Sequence, residues 1–480
     1  MDRESIHTKA GQLQDIDDKG RSHYVQSAAE KSLVRKLDYI YVMPFIAVLN
    51  FLQFFDKSAI NYASQLGIMQ DTHIDADQLG WLGSIFYLGY LLYQPINAYC
   101  LQRVPLSKYI GGLIVLWGLV LTVTCEAKNF SQLAALRFLL GFFEAGIYPC
   151  CVMLISTLYR RKEQAGRLGA VYICNGIALS VGGLVGYGIG HMNNVLGKDP
   201  WQWIMIILGA VTMLFGIICF FGLVDTPKSR FLRLTKEQEA IVDERMRDNA
   251  VVRTEVIKRN QIMESLREPR FYLFILASFL INLQNGALNT FSSIIINGFG
   301  FANLDAILLN IPSGAVDCVY IVAAVLINRY YGYTLVTACG LLCFTILGLI
   351  LLLVIPLAQA KIVGLYLCWA YAASYTLLLV SVANNVSGYT KKAFYSSCIT
   401  VLYTIGNFVG PKMMVQSQAP LYIGGMVGYI VADALCIACL LGAHWFMARS
   451  NRQRLANPQP NAAMFEDMTD QEDPNFIYRL

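Results

Sequence analysis

The stretch IYVMPFIAVLNFLQFFDKSAINYA, residues 40–63, decides the fold class. A helix of this length crosses a hydrocarbon core of about 30 Å. Its composition suits such a core everywhere except at Asp56 and Lys57. A charged residue at mid-bilayer costs roughly 2.5 to 3.5 kcal/mol even on the mildest insertion scale, so residues of this kind line internal cavities and serve function. A second stretch, RFLLGFFEAGIYP at 137–149, repeats the pattern with Arg137 and Glu144. Four charges inside two apolar helices point to an ion-coupled carrier.

The rest of the chain has the same character. It is 480 residues long, 56% hydrophobic and 14% charged, with a mean hydropathy of +0.49. A soluble fold has no interior large enough for that composition. Twelve apolar runs are long enough to span, at 40–63, 79–100, 108–127, 131–158, 166–190, 202–224, 271–296, 306–328, 333–356, 361–386, 394–416 and 420–447. The expected fold is an all-α membrane protein of twelve transmembrane helices in two six-helix bundles. Its parts are an N-terminal tail (1–39), a first bundle (40–224), a linker (225–270), a second bundle (271–447) and a C-terminal tail (448–480).

The positive charges orient this arrangement. With both termini on one side, 31 of the 37 Lys and Arg fall on that side; Lys128, Lys198 and Lys361 fall on the other, and Lys57, Arg137 and Lys412 within the membrane. Lys and Arg concentrate in cytoplasmic loops, so both tails are expected in the cytosol. The net charge of +5 follows from that topology, and nucleic acid is not implied as a partner. Residues 1–39 contain no apolar core of a secretory signal, so the first helix is its own insertion signal. The thirteen cysteines lie nearly all within the helices, and the one CxxC, Cys436 to Cys439, has no His or second pair beside it. Packing explains them better than metal or redox chemistry. With no nucleotide loop, metal-ligand cluster or nucleophile–base set, the chain does not read as an enzyme and implies no cofactor beyond a coupling proton.

Smaller signals complete the outline. In the linker, Thr235-Lys236-Glu237-Gln238 is a capping box that opens an amphipathic helix. The tail ends in FEDMTDQEDPNFIYRL, which reads as exposed chain without a packed core. VGGLVGYGIG at 181–190 reads as a close-packing helix and not as a phosphate loop, since no strand precedes it.

Arg137 and Glu144 lie two helical turns apart, so they share one wall about 10 Å long. Asp56 and Lys57 are neighbours whose side chains diverge, so each needs a partner elsewhere, and Glu144 and Arg137 carry the complementary signs. With all four ionised the set is neutral; protonating one carboxylate leaves it positive and favours an anion. Proton and anion then strengthen each other's binding, which is the thermodynamic content of symport. Burial disfavours the charged form of a carboxylate, which makes Glu144, with Asp56, the candidate for proton coupling. Arg137 offers an anion a bidentate fork and Lys57 a point charge. The alternative is a salt-bridge set that only pins helices together. Tyr90, Asn175, Asn285 and Asn384 are polar residues on cavity helices placed to orient a substrate, or to bond a neighbouring helix. Asp317, Asp433 and Lys412 stand singly on separate helices, and their roles are open.

At these residues the chain resembles the major facilitator superfamily, its anion:cation symporter branch and, within that, the fungal allantoate permease family. LQFFDKSAINYAS (52–64) is similar to the first-helix signature and RFLLGFFEAGIYP (137–149) to the fourth. Further matches follow in order: LLYQPINAYCLQRVPLSKYIG (91–111), NGALNTF (285–291), NGFGF (297–301), NIPSGA (310–315), ANNVSGYTKK (383–392), GNFVGP (406–411), QAPLYIGG (418–425) and the acidic tail. The resemblance implies that Arg137 contributes to anion binding, that Glu144 carries protons, and that Asp56 and Lys57 form the coupled pair. The inner-loop pattern departs from the superfamily's, because Gln102 precedes Arg103 and Asn328 precedes Arg329 where an acidic residue is usual.

The expectation is a plasma-membrane proton symporter, functional as a monomer, that imports a small organic anion such as a ureido acid or a vitamin-like carboxylate. Sulfate or sulfonate uptake, export by proton antiport and a non-transporting nutrient receptor are the alternatives.

Overall fold

The computed structural model describes residues 13–16, 22–25, 27–101, 103–192, 195–249, 258–419, 422–456 and 468–480. Gln102 and the start of the acidic tail lie outside them. Apart from one antiparallel hairpin, Leu13–Ile16 with Ser22–Val25, the described architecture is helical. The first bundle contains α1 (Met43–Gln65), α2 (Ala76–Cys100), α3 (Leu106–Val123), α4 (Phe130–Glu144, resumed as Ile147–Leu158), α5 (Arg161–Ile189) and α6 (Pro200–Gly222). The second contains α7 (Pro269–Gly298), α8 (Ile311–Tyr331), α9 (Thr334–Val354), α10 (Ile362–Cys368, resumed as Ala370–Asn385), α11 (Tyr389–Val409) and α12 (Ile423–Ala456).

Among the described residues, nine segments are apolar and long enough to cross a membrane by length and composition alone. The other three spans are α2, α5 and α11. Across the two bundles α2 packs on α11 and α5 on α8. Leu116, Leu119, Phe221, Phe344 and Leu435 are among the large apolar side chains exposed on the remaining helices, a surface fit for acyl chains.

Helix ends follow local chemistry. α2 opens with a capping box in which the Gln78 N–H donates to Asp75 Oδ1 at 2.7 Å and the Asp75 N–H to Gln78 Oε1 at 3.2 Å. Asn129 caps α4 by accepting from the Gln132 N–H at 3.0 Å. Proline occupies the first turn of α6 and of α7, where its missing N–H costs nothing. The stretch 181–190 is helical within α5, as expected of a packing element.

The approach of α2 to α4 fixes where the charged wall points. A Cβ added to Gly141 would fall 1.9 Å from the Phe86 carbonyl oxygen, and one added to Gly89 would fall 2.1 Å from that of Phe138. No residue with a side chain fits at either position, so two glycines set the crossing and turn Arg137 and Glu144 inward.

The face carrying helix Ala28–Lys36 and the C-terminal segment, the termini face, is held by two ionic clusters. Helix Lys236–Asn249 starts at the expected capping box, with Gln238 N–H to Thr235 Oγ1 at 3.3 Å. It packs Ile241 and Val242 on Leu33 of helix Ala28–Lys36. Its Arg245 pairs with Glu30 at 2.7 Å and Glu163 at 2.5 Å. On the second bundle the tail differs from the exposed chain read from its sequence, because Met468–Leu480 is docked. Asp470 is fully buried between Arg270 and Lys391 and accepts from the Tyr478 hydroxyl at 2.8 Å. The Thr334 N–H donates to the Leu480 carbonyl at 2.7 Å, and Asn385 and Asn451 bond the backbone of Arg479 and Tyr478. Burial alone would raise the Asp470 carboxyl; Arg270 and Lys391 outweigh it and hold the group below its ordinary value.

Candidate functional site

The four charges read from the sequence converge in the first bundle. Lys57 Nζ lies 3.0 Å from Glu144 Oε1, pairing α1 with α4. Neither Glu144 oxygen accepts a directed hydrogen bond, so the contact is one of charge. Asp56 turns the other way and accepts from the Trp117 indole N–H of α3 at 2.6 Å. Arg137 stands within electrostatic reach of both Asp56 and Glu144. It is 3% exposed, and its Nε and Nη2 have no hydrogen-bond partner. The wall therefore offers an anion two free guanidinium nitrogens beside a carboxylate whose cation partner is shared.

Aromatic and amide side chains from both bundles surround this wall. The Lys57 ammonium lies 5.9 Å from the Phe86 ring centroid and 6.0 Å from that of Tyr90. Tyr87 on α2 approaches Tyr403 on α11 at 6.4 Å between rings, and Tyr403 stacks on Tyr375 of α10 at 5.6 Å. Next to them, the Tyr371 hydroxyl donates to Asn285 Oδ1 at 2.7 Å. Asn289 Nδ2 donates to the same oxygen at 2.7 Å, and Asn285 Nδ2 to Asn282 Oδ1 at 3.3 Å. The first bundle contributes charge and the second neutral hydrogen-bonding groups.

Most of the residues singled out from sequence are gathered here: Asp56, Lys57, Tyr90, Arg137, Glu144 and, from the second bundle, Asn285. Asn175 is half-buried on α5, beside the glycine that touches α8. Asn384 lies apart from this group. It is exposed near the termini end of α10, and its neighbour Asn385 takes the buried position and bonds the tail. Adjacent helix positions differ by about 100° in direction, so one residue of phase separates inside from outside. Sequence reasoning missed Trp117, Tyr87, Tyr371, Tyr375 and Tyr403. The only available sign was helical spacing, as in Tyr371 and Tyr375 four residues apart.

At the face opposite the termini, the bundles close on each other. Asn61 Nδ2 donates to Ser292 Oγ at 2.8 Å, and the Ser293 N–H to Asn61 Oδ1 at 2.9 Å. The Gln416 N–H donates to Asp77 Oδ1 at 2.7 Å. Lys412 lies 2.8 Å from the Trp81 ring centroid, a cation–π contact between α2 and the end of α11.

The model of the Major Facilitator Superfamily matches residues 46–411. The chain belongs to the major facilitator superfamily. Among superfamily relatives, it is 30% identical over 463 residues to an uncharacterized transporter of Schizosaccharomyces pombe, covering 94% of this chain and 93% of that one. It is 29% identical to the thiamine pathway transporter of Saccharomyces cerevisiae, covering 93% and 86% of the two chains. It is 28% identical to the allantoate permease of the same yeast, covering 99% and 91%, in line with the resemblance read from the motifs. Solved superfamily members share the fold. A D-xylose–proton symporter matches with a TM-score of 0.64 at 12% identity, covering 84% of this chain and 96% of that one. A bacterial homolog of the human lysosomal transporter Spinster, in an inward-facing and occupied conformation, matches at 0.63 and 15% identity, covering 88% and 98%.

Proposed function

We propose that this protein is a proton-coupled symporter that imports a small organic anion, a ureido acid or a vitamin-like carboxylate, by alternating access of its two bundles. The observation that carries this reading is Arg137, a guanidinium buried in a membrane helix with Nε and Nη2 unpartnered. A substrate carboxylate satisfies both nitrogens at once through parallel hydrogen bonds. Glu144 carries the proton in this reading. Its neutralisation frees Lys57 and leaves the wall positive, so proton and anion each raise the other's affinity by the same factor. The amide and tyrosine groups on α7, α10 and α11 suit the neutral remainder of such a substrate.

The yeast allantoate permease supports the substrate class and the xylose–proton symporter supports coupling on this fold. In this reading the termini face is cytoplasmic, the closed face is outside, the membrane is the plasma membrane and a single chain is the unit of transport. The bundles then rock about the central site. The test is uptake of labelled allantoate, nicotinate, pantothenate, biotin and sulfate by transporter-deficient cells at acid pH, with and without a protonophore. Protonophore-sensitive accumulation of a carboxylate is the expected result. Accumulation of sulfate alone changes the substrate class, and no uptake of any with normal surface expression rejects the reading.

A further inference from the structure

Asp317 takes no part in the charged wall, yet it sits where the bundles touch most closely. On α8 it lies one helical turn from Gly314, and Gly314 meets Gly176 of α5 backbone to backbone. A Cβ on Gly314 would fall 2.2 Å from the Gly176 carbonyl oxygen, and one on Gly176 would fall 2.7 Å from that of Gly314. The same Gly176 Cβ would lie 3.3 Å from Asp317 Oδ2, so the carboxyl is covered by the backbone of the other bundle. Cross-bundle hydrogen bonds flank the contact, from Ser180 Oγ to the Ile311 carbonyl at 2.9 Å and from Cys318 Sγ to the Ile173 carbonyl at 3.6 Å. Asp317 is 2% exposed and its Oδ1 has no hydrogen-bond partner.

The groups facing it are neutral. Its own helix contributes Cys318, with Cys174 of α5 beside that thiol, and α10 contributes Tyr371. Among the described residues, no charged group from α5, α9 or either part of α10 is within electrostatic reach of it. A bare carboxylate in such a place carries the full desolvation penalty with neither cation nor donor to offset it, whereas a carboxylic acid does not. Since α5 and α8 belong to different bundles, separating them at this level admits water and lets the group ionise.

We propose that Asp317 is a second proton-binding site, in the second bundle, and that it must hold a proton for the α5–α8 crossing to seal the face opposite the termini. One proton passes from water to the carboxylate as the crossing closes and returns to water when it opens. The closed state binds the proton more tightly than the open one, so by linkage acid favours closure. This inference rests on the reading of the protein as an alternating-access transporter and names a coupling residue that its charged wall does not contain.

The test reads conformation without substrate. Genetically encoded spin labels at Gln70 and Gln359, both exposed at the closing face and one in each bundle, report the distance between bundles in nanodiscs from pH 5 to 8. The Glu144→Gln background removes that residue's own titration. The expected result is a closed-to-open ratio that falls with rising pH, by at most about tenfold per unit for one proton. With Asp317→Asn it stays constant within about twofold. An Asp317→Asn curve that keeps the parent's slope overturns the proposal, as does a parent with no slope. If Asp317→Asn yields no folded protein, Asp317→Ser is read by the same criteria. Because no transport is measured, an incorrect substrate or coupling assignment at Glu144 leaves this readout intact, and the two failures are distinguishable.

Discussion

Lys57 and Glu144 pair across α1 and α4 at 3.0 Å, and among the described residues this leaves Arg137 with no carboxylate in ion-pair contact. A buried guanidinium without a partner is costly to keep in a folded protein. In the proposed reading an arriving anion relieves that cost at Arg137, whereas Lys57 already has Glu144.

Glu144→Gln is expected to abolish proton-driven accumulation while sparing exchange of internal for external substrate, since the amide keeps the shape but holds no transferable proton. Reconstituted vesicles with and without an imposed pH gradient make the measurement. Loss of both activities assigns Glu144 a structural role instead.

Arg137→Lys keeps the charge and loses the fork. A hydrogen bond to a charged group contributes about 1.5–3 kcal/mol, so the half-saturating substrate concentration should rise at least about tenfold. Uptake kinetics across a substrate series decide it, and unchanged kinetics remove Arg137 from the site.

Trp117→Phe removes the indole N–H that meets Asp56 Oδ2 at 2.6 Å, and with it one ring of a fully buried side chain. The lost bond to a buried carboxylate should destabilise the protein by about 1.5–3 kcal/mol, and the cavity left by the missing ring adds to that loss. A lowered thermal unfolding midpoint in detergent is the expected observation; an unchanged one means that Asp56 finds another donor.

Gly141→Ala places a methyl 1.9 Å from the Phe86 carbonyl oxygen, where backbone and not a flexible side chain must give way. The α2–α4 crossing then opens, and monodisperse protein on size-exclusion chromatography should fall severely. A well-behaved peak with wild-type uptake contradicts the assigned crossing.

The docked tail has a definite pH dependence. Asp470 is held below the ordinary aspartate value of 3.8, so its contribution is fully present above that value and is lost as pH falls through the lower folded-state value. Protection of residues 468–480 in hydrogen exchange should be flat from pH 5 to 8 and fall away only in stronger acid. Asp470→Asn, which leaves Arg270 and Lys391 short of a buried counter-charge, should release the tail at neutral pH, with a loss of about 3–5 kcal/mol. A tail that stays protected in that variant shows that its backbone bonds suffice.

Much of this protein was legible from the chain alone, for reasons that belong to contiguous segments. Whether 24 residues can cross a bilayer, and whether Arg137 and Glu144 share a helix face, depend only on local composition and period. Even the capping box at Thr235 needs just four neighbouring residues. Pairing was different. The signs matched Lys57 with Glu144 and Asp56 with Arg137; the α1–α4 packing makes the first pair, while Trp117 of α3 takes Asp56 in place of the second. Asn384 is exposed and Asn385 buried, a difference of one residue of helical phase that helix ends cannot be read finely enough to resolve. The tail read as free chain because its anchor, the pair Arg270 and Lys391, is supplied by the first turns of two helices distant in sequence, α7 and α11. The tyrosines of α2, α10 and α11 look like any aromatic in an apolar helix until the bundles meet. Insertion and periodicity are energies of a single segment, whereas the partner of a buried charge is set by which segments touch, and that exists only in the folded molecule.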